Sequence, residues 1–272
     1  MSAVGFRNLI KVLARSRSLR FTSDMLRQSP TSSLARLRWS GRDIFYRSGT
    51  ADPLVLYQVL LKRGRKAEYY VPPALKPKII IDIGSNIGAS IIYFQRQFPD
   101  AKIFGFEPHP DTFRILGKNV AHLPGVRVFN YGLGANRQRI AVQADNVNFG
   151  AFNTRGEFKD RGYPAAPVEC EVRRLDEVLR EIGIARVDLI KIDCEGSEAD
   201  IFSTLPDATL NQCQWIVGEF HDESGLELLG RLAPHFHLDL KKKMFRPRFR
   251  FHACNRNKIQ ELSRSDLDAL QR

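Results

Sequence analysis

Between Lys78 and Ser90 the chain reads KIIIDIGSNIGAS. Three isoleucines, Ile79 to Ile81, run into Asp82 and then into a turn punctuated by Gly84 and Gly88. Ile91, Ile92, Phe94 and Phe98 follow at helical spacing, up to Pro99. A buried strand, a tight turn and a helix in that order open a Rossmann-like α/β sheet. Glycines in the turn leave room for a ligand to approach the backbone. The helix N-terminus then offers free N–H groups to an anion.

The spacing says which ligand fits. The middle glycine of G-x-G-x-x-G is absent, which disfavours a dinucleotide and with it a dehydrogenase. No Lys-Ser/Thr pair follows the glycines, so the turn is not a P-loop. Asp82 adds negative charge where a phosphate would sit. A cationic ligand with one carboxylate fits better, and S-adenosylmethionine is such a molecule. The candidate cofactor residues here are Asp82 (near the sulfonium), Gly84, Ser85, Asn86 and Gly88. One strand later, Ile103 to Phe106 ends in Glu107-Pro108. A carboxylate about 20 residues past the glycine turn accepts hydrogen bonds from both ribose hydroxyls, and Glu107 has that spacing. Pro108 joins it in the candidate set. Leu133, between two glycines after the strand Val126 to Tyr131, is placed for an adenine contact.

The 272 residues carry a formal net charge of +12, so an anionic partner has to be considered. The excess crowds into the first fifty residues and the segment Lys241 to Arg250. Cys170, Cys194, Cys213 and Cys254 show no C-x-x-C pair and no metal spacing, the pattern of reduced, mostly buried thiols in a cytoplasmic enzyme. No apolar run is long enough to span a bilayer, and the start lacks the features of a secretory signal.

Residues 1–72 read as a basic, helical N-terminal cap and 73–272 as the catalytic domain. Phe6, Leu9, Ile10 and Leu13 recur at helical spacing against Arg7, Lys11 and Arg15. Such a helix either packs on its own domain or makes a peripheral membrane contact. Ser29 to Ser40 read as a polar connection, and Asp52-Pro53 as the cap of a helix through Val55, Leu56, Val59 and Leu60. Past Tyr131, two strands (Arg139 to Val142, Val168 to Val172) enclose a long polar loop, Asn146 to Arg161, which has the length of a lid or substrate loop. Leu175 to Ile182 form a helix closed by Gly183. Buried strands Val187 to Ile192 and Trp215 to Gly218 follow, then an antiparallel hairpin at the sheet's edge around Phe236–Leu240 and Phe249–Phe251.

In open α/β sheets the ligand sits beyond the carboxyl ends of the strands. Asp193, Glu195, Glu219 and His221 fall at or just past such ends. Methyl transfer is an in-line displacement, so much of its catalysis is positioning. A hydroxyl acceptor also has to lose a proton, to His221 or to Asp193. Alternatively Mg²⁺ on Asp193 and Glu219 would acidify that hydroxyl. Lys191, in the fourth strand, is expected to make a structural ion pair with one of these carboxylates.

DIGSNIGAS, FEPHP, RRLDEV, VDLIKIDCEGSE and VGEFH, in this order, resemble the FkbM-type methyltransferases. The resemblance spans roughly Arg47 to His221 and includes the lead-in Ser48-Gly49-Thr50-Ala51-Asp52. It implies the class I S-adenosylmethionine-dependent fold, a seven-stranded sheet with an antiparallel last pair. It also implies O-methylation of a small-molecule, sugar or glycan hydroxyl. By this resemblance Asp82, Gly84, Asn86, Gly88 and Glu107 bind cofactor, while Asp193, Glu195 and Glu198 mark the catalytic edge. Tyr131-Gly132-Leu133-Gly134 departs from the pattern, and so do the basic ends of the chain.

A nucleic-acid methyltransferase is the first rival, raised by the charge and by Phe249 and Phe251 interleaved with Arg248 and Arg250. Against it, the fourth strand ends in DCEG and the basic residues are expected away from the cleft. The second rival is a non-catalytic cofactor-binding module, which the complete glycine turn and acidic edge disfavour.

Overall fold

A computed structural model describes residues 6–27, 29, 31–142, 167–221, 224–242 and 249–262. Helices α1 (Phe6–Ser16) and α2 (Leu19–Asp24) lead into strands β1 (Ser33–Trp39) and β2 (Arg42–Ser48). Helix α3 (Asp52–Leu56) continues as a π-helical turn, Tyr57–Leu61. Then come β3 (Ile79–Ile83), α4 (Ala89–Gln97), β4 (Lys102–Phe106), α5 (Pro110–Val120) and β5 (Val126–Phe129). Strands β6 (Gly132–Leu133), β7 (Gln138–Val142) and β8 (Val168–Arg173) form a small separate sheet in the order β6-β8-β7. The second half runs α6 (Leu175–Glu181), β9 (Leu189–Ile192), α7 (Glu198–Ser203), α8 (Asp207–Gln212), β10 (Trp215–Phe220), α9 (Ser224–Leu232), β11 (Phe236–Lys242) and β12 (Phe249–Asn255).

The central sheet has seven strands in the order β11-β12-β10-β9-β3-β4-β5. β3, β4, β5, β9 and β10 are mutually parallel, and β12 runs antiparallel to both neighbours. β12 is inserted between β10 and β11, so the terminal hairpin supplies an inner strand as well as the edge. From β3 the chain winds outward through β4 and β5, then returns to β9 and winds the other way. The order therefore reverses between β3 and β9, the place where open α/β sheets bind ligands. Strands buried on both faces have to be apolar throughout, which is why Ile80, Ile81, Leu189 and Ile190 are 0% exposed. Each such side chain contributes about 2 kcal/mol of burial.

One face of the sheet packs against α4, α5 and the N-terminal elements, in one hydrophobic cluster running from Val12 and Phe21 through Tyr46 and Leu60 to Phe94 and Leu116. The other face packs against α6 to α9. Cys170, Cys213 and Cys254 are buried and Cys194 half-buried. Among the described residues no helix is long and apolar enough to cross a membrane. The loop Asn146 to Arg161 and the turn near Pro247 lie outside the described residues.

Two expectations for the N-terminal part need correcting. The stretch read as a polar connection contains β1, paired in full with β2 from Ser33↔Ser48 to Trp39↔Arg42. Ser40 (φ 50°) and Gly41 (φ 81°) make the left-handed two-residue turn that hairpins favour. Ala35 and Leu37 alternate inward, with Arg36 and Arg38 outward. Asp52 makes no side-chain cap on α3. Its carboxylate accepts from Arg47 Nε (2.8 Å), Nη2 (3.0 Å) and backbone N–H (2.9 Å) instead.

Arg47 also donates to Thr112 Oγ1 on α5 at 3.1 Å. Asn119, further along α5, accepts from Phe45 N–H and donates to the carbonyls of Phe45 and Ile87. The hairpin is thereby tied to the glycine turn through α5. Breaking a buried charge pair leaves one charge uncompensated, so Arg47→Ala is expected to cost about 3–5 kcal/mol of stability. Urea denaturation measures it, and a change below about 1 kcal/mol would mean the pair is not structural.

Candidate active site

The glycine turn follows β3. Gly84 (φ 73°), Asn86 (φ 49°) and Gly88 (φ 89°) are all left-handed. A Cβ on Gly84 would lie 2.0 Å from the Asp193 carbonyl oxygen, and one on Gly88 would lie 2.8 Å from Leu116 Cδ1. The space those glycines leave is thus filled by the chain's own atoms, not held open for a ligand as expected. The absent side chain of Gly84 lets the turns after β3 and β9 touch, and that of Gly88 lets the turn pack against α5. Gly84 and Ser85 donate backbone N–H to the Phe106 carbonyl (3.1 and 2.9 Å), which fixes the turn against β4. Ser85 is 2% exposed, and its hydroxyl donates to the Asp82 carbonyl.

Asp82 also differs from expectation. It is 0% exposed, with Oδ2 accepting from Ser90 Oγ at 2.6 Å and Oδ1 3.2 Å from Lys191 Nζ. Its carboxylate braces the turn from beneath through these two contacts. Lys191 makes the structural ion pair that was expected, and it also donates to the carbonyls of Ile83 and Gly84. Burial alone would lower the Lys191 pKa, but the charges of Asp82 and Asp193 overcome it and raise it.

Glu107 is 3% exposed at the end of β4. Its two oxygens accept from the backbone N–H groups of Asn86 (2.9 Å) and His109 (3.0 Å). Burial pushes this carboxyl up to about 7, against the pull of those two hydrogen bonds and of the Arg47 and Lys191 charges. Asn130 Nδ2 donates to the carbonyls of Glu107 and Pro108, holding the bend after β4. Asn86 Oδ1 is buried without a hydrogen-bond partner among the described residues. Leu133 is 2% exposed and packs into the core on the α6 side of the sheet.

The acidic edge lies just past β9 and β10. Asp193-Cys194-Glu195-Gly196 turns sharply, with Glu195 at φ 57° and Gly196 at φ 113°. A left-handed non-glycine residue is strained by about 1–3 kcal/mol, and here it aims the Glu195 carboxylate at His221. Glu198, 2% exposed at the start of α7, holds the turn closed. Its Oε1 accepts from the backbone N–H groups of Cys194 (3.2 Å) and Gly196 (3.3 Å) and stands 2.8 Å from His221 Nδ1. The other ring nitrogen, Nε2, lies 3.5 Å from Asp193 Oδ1, 3.6 Å from Glu195 Oε2 and 4.0 Å from Glu219 Oε2. Burial lowers the His221 pKa, but the Glu198 hydrogen bond and the Asp193, Glu198 and Glu195 charges outweigh it and raise it to about 9. These neighbours favour the imidazolium form of His221.

Glu68 and Tyr69, which the sequence did not single out, and Arg250, named only as part of a basic run, complete the edge. Tyr69 donates its hydroxyl to Asp193 Oδ2 at 2.6 Å. Burial and the neighbouring carboxylates hold the Tyr69 pKa well up, so the phenol keeps its proton. Arg250 of β12 pairs with Glu68 and lies 4.0 Å from Glu219 Oε1. That places one residue of the basic Lys241–Arg250 segment inside the site, contrary to the expectation that the segment lies away from it. Glu68 and Tyr69 sit in KAEYYVPP, which has no motif; only the basic run around Arg250 was visible beforehand. One ligand atom each of Asp193, Glu219 and His221 lies within 4.8 Å of the others, close enough to hold a metal ion.

A family profile described as "Methyltransferase FkbM domain" matches residues 82–250. The chain is 30% identical over 174 residues to "Methyltransferase 1" of Beauveria bassiana, covering 58% of this chain and 70% of that one. It is 28% identical over 173 residues to the "2-O-methyltransferase NoeI" of Sinorhizobium fredii, covering 60% and 70%. It is also 28% identical over 185 residues to the "31-O-demethyl-FK506 methyltransferase FkbM" of Streptomyces tacrolimicus, covering 58% and 71%. The profile runs from the aspartate that opens the glycine turn to the arginine that reaches the acidic edge, and the protein belongs to the FkbM methyltransferase domain family, S-adenosylmethionine-dependent enzymes.

Proposed function

We propose that this enzyme methylates a hydroxyl oxygen of a small-molecule or sugar-type acceptor, with Asp193 as the general base. The observation that carries this is the edge itself. Asp193, Glu195 and His221 face one another directly beside the glycine turn, whose Gly84 touches the Asp193 carbonyl. The names of two relatives, a "2-O-methyltransferase" and a "31-O-demethyl" methyltransferase, support oxygen as the nucleophile.

S-adenosylmethionine, when bound, supplies an electrophilic methyl group on a sulfonium. The residues present fit it. A carboxylate offers about four acceptor directions, and Glu107 gives two to backbone N–H groups, which leaves two for ribose hydroxyls. The unpartnered Asn86 Oδ1 and the N-terminus of α4, which has no side-chain cap, are available to the amino-acid end. Gly84, Ser85, Gly88 and Asp82 then act by shaping and bracing the turn, while Pro108 and Leu133 border the ribose and adenine side.

With its imidazolium form favoured by the neighbouring carboxylates, His221 is the poorer acceptor for the hydroxyl proton. It stabilises the Asp193 carboxylate and any negative charge developing on the acceptor oxygen. Asp193 takes the proton through Oδ1, while Tyr69 holds Oδ2 and so fixes the carboxylate's orientation. Residues 1–72 act as a cap and 73–272 as the methyltransferase domain in this reading; Glu68 and Tyr69 are the cap's contribution to the site. The place of work is the cytoplasm. The direct test is a titration with S-adenosylhomocysteine followed by a screen of hydroxylated acceptors with labelled cofactor. Binding without turnover on any hydroxyl would leave a non-catalytic module, and no binding would remove the reading.

A Mg²⁺ ion on Asp193 and Glu219 is the second reading, favoured by the closeness of the Asp193, Glu219 and His221 ligand atoms. The two carboxylates suit a hard cation. Activity abolished by EDTA and restored by Mg²⁺ is the result this reading expects; full turnover in EDTA ends it. An RNA acceptor would show binding that weakens steeply with salt, and salt-independent turnover excludes it.

A further inference from the structure

At the corner where α1 ends and α2 begins, the chain forms a concave pocket of about 860 Å³ against the tip of the β1–β2 hairpin. Arg15, Arg17, Arg36, Arg38 and Arg63 line it, with Asp43. Asp43 is shared by Arg36 and Arg38 at 3.3 Å each, so the pocket keeps a large positive excess. The methylation chemistry uses none of these groups. Ser40 and Trp39 of the same wall touch Arg96 in the last turn of α4, the end remote from the glycine turn. The pocket is therefore at the opposite end of α4 from the cofactor site.

Apolar side chains flank this basic hollow. The pocket-lining segment Ala14 to Ser18 is bracketed by Leu13 and Leu19, and Ile10 lies one turn before Leu13. All three face solvent, Leu19 at 77% and Ile10 at 55% exposure, although Val12 and Phe21 of the same helices are fully buried. Large aliphatic side chains left in water beside clustered guanidinium groups match a bilayer surface. There, aliphatic groups enter the acyl boundary while arginines meet anionic headgroups. A soluble anion would use the arginines and leave the aliphatics without a partner. A nucleic acid would call for stacking aromatics, and Trp39 is already covered by Arg96 at 4.8 Å.

We infer that the α1–α2 corner and the hairpin tip form a docking site for a membrane surface rich in anionic phospholipid, with a headgroup phosphate in the arginine pocket and Ile10, Leu13 and Leu19 in the interface. The contact leaves the cofactor turn and acidic edge uncovered, so a docked enzyme can still exchange cofactor.

Co-sedimentation of the full chain with phosphatidylcholine vesicles, with and without phosphatidylserine, tests this. The expected result is binding to the anionic vesicles alone, weakened by added salt. Arg36 and Arg38 are exposed, so the pair Arg36→Ala/Arg38→Ala should fold normally and bind the vesicles roughly thirtyfold more weakly. Ile10→Ser/Leu19→Ser should weaken vesicle binding about tenfold while leaving pyrophosphate binding, read by thermal shift, unchanged. S-adenosylhomocysteine titration should be the same for wild type and both variants, which separates this site from the methyltransferase reading. No sedimentation, equal sedimentation with neutral vesicles, or vesicle binding untouched by either pair overturns the inference. So does pyrophosphate binding lost in the arginine variant by a protein that ignores vesicles, which would assign the pocket to a soluble anion.

Discussion

Asp193→Asn is expected to lower kcat by about two to four orders of magnitude while cofactor affinity stays where it is. The substitution keeps the size of the side chain and an oxygen for the Tyr69 hydroxyl, so the turn after β9 keeps its shape. What it removes is the proton acceptor. Asp193 is suited to that role because its side chain is 24% exposed, whereas His221 is 3% exposed and surrounded by carboxylates. The carboxylates around His221 favour its imidazolium form, and Glu195, at 18% exposure, is the next most open acceptor there. Burst and steady-state kinetics with labelled cofactor check the prediction. Turnover close to wild type in Asp193→Asn would move the base to Glu195, and Glu195→Gln would then carry the loss.

The second large effect is on the cofactor. Glu107→Ala is expected to weaken S-adenosylmethionine binding by about two orders of magnitude, since hydrogen bonds to a charged group contribute about 1.5–3 kcal/mol each. Two ribose hydroxyls would lose their acceptor, and Asn86 and Asn86's turn would lose the oxygen that anchors the Asn86 N–H. pH separates the binding role from the structural one. Because burial raises the Glu107 pKa to about 7, its folded pKa lies above the unfolded value of 4.5. A raised carboxyl contributes stability that is fully present below the unfolded pKa and lost as pH rises through about 7. Cofactor affinity has the opposite sign, because only the ionised carboxylate accepts from both hydroxyls, and it should fall as pH drops below about 7. Glu107→Gln should flatten both dependences. Calorimetric titration and thermal melts across that window measure them, and a Glu107→Gln protein with the wild-type pH profile would assign the titration elsewhere.

Much of the site was legible from residue order alone, because α/β sheets place loops after strands at one edge. Buried parallel strands need unbroken apolar runs, so Ile79 to Ile81 and Val187 to Ile192 announced themselves. The carboxylates after these runs and after β4, Glu107, Asp193 and Glu195 among them, were then expected at the ligand edge. The β1 strand was legible too in its Ser40-Gly41 turn, but alternating arginines disguised it as polar connection.

The tertiary structure decided which side chains touch. Tyr69 reaches Asp193 across 124 residues, and Arg250 reaches Glu68 across 182. Periodicity and turn chemistry act over a few residues and carry no record of such pairings. The same holds for Asp82, drawn beneath the turn by Lys191, and for Gly84, required because the Asp193 carbonyl occupies the place of its side chain. Sequence by itself determined the strand–loop order and the acidic edge. Only packing between distant segments surrounded His221 with carboxylates beside Asp193 and gathered arginines from α1, β1 and the stretch after the π-helical turn into one pocket.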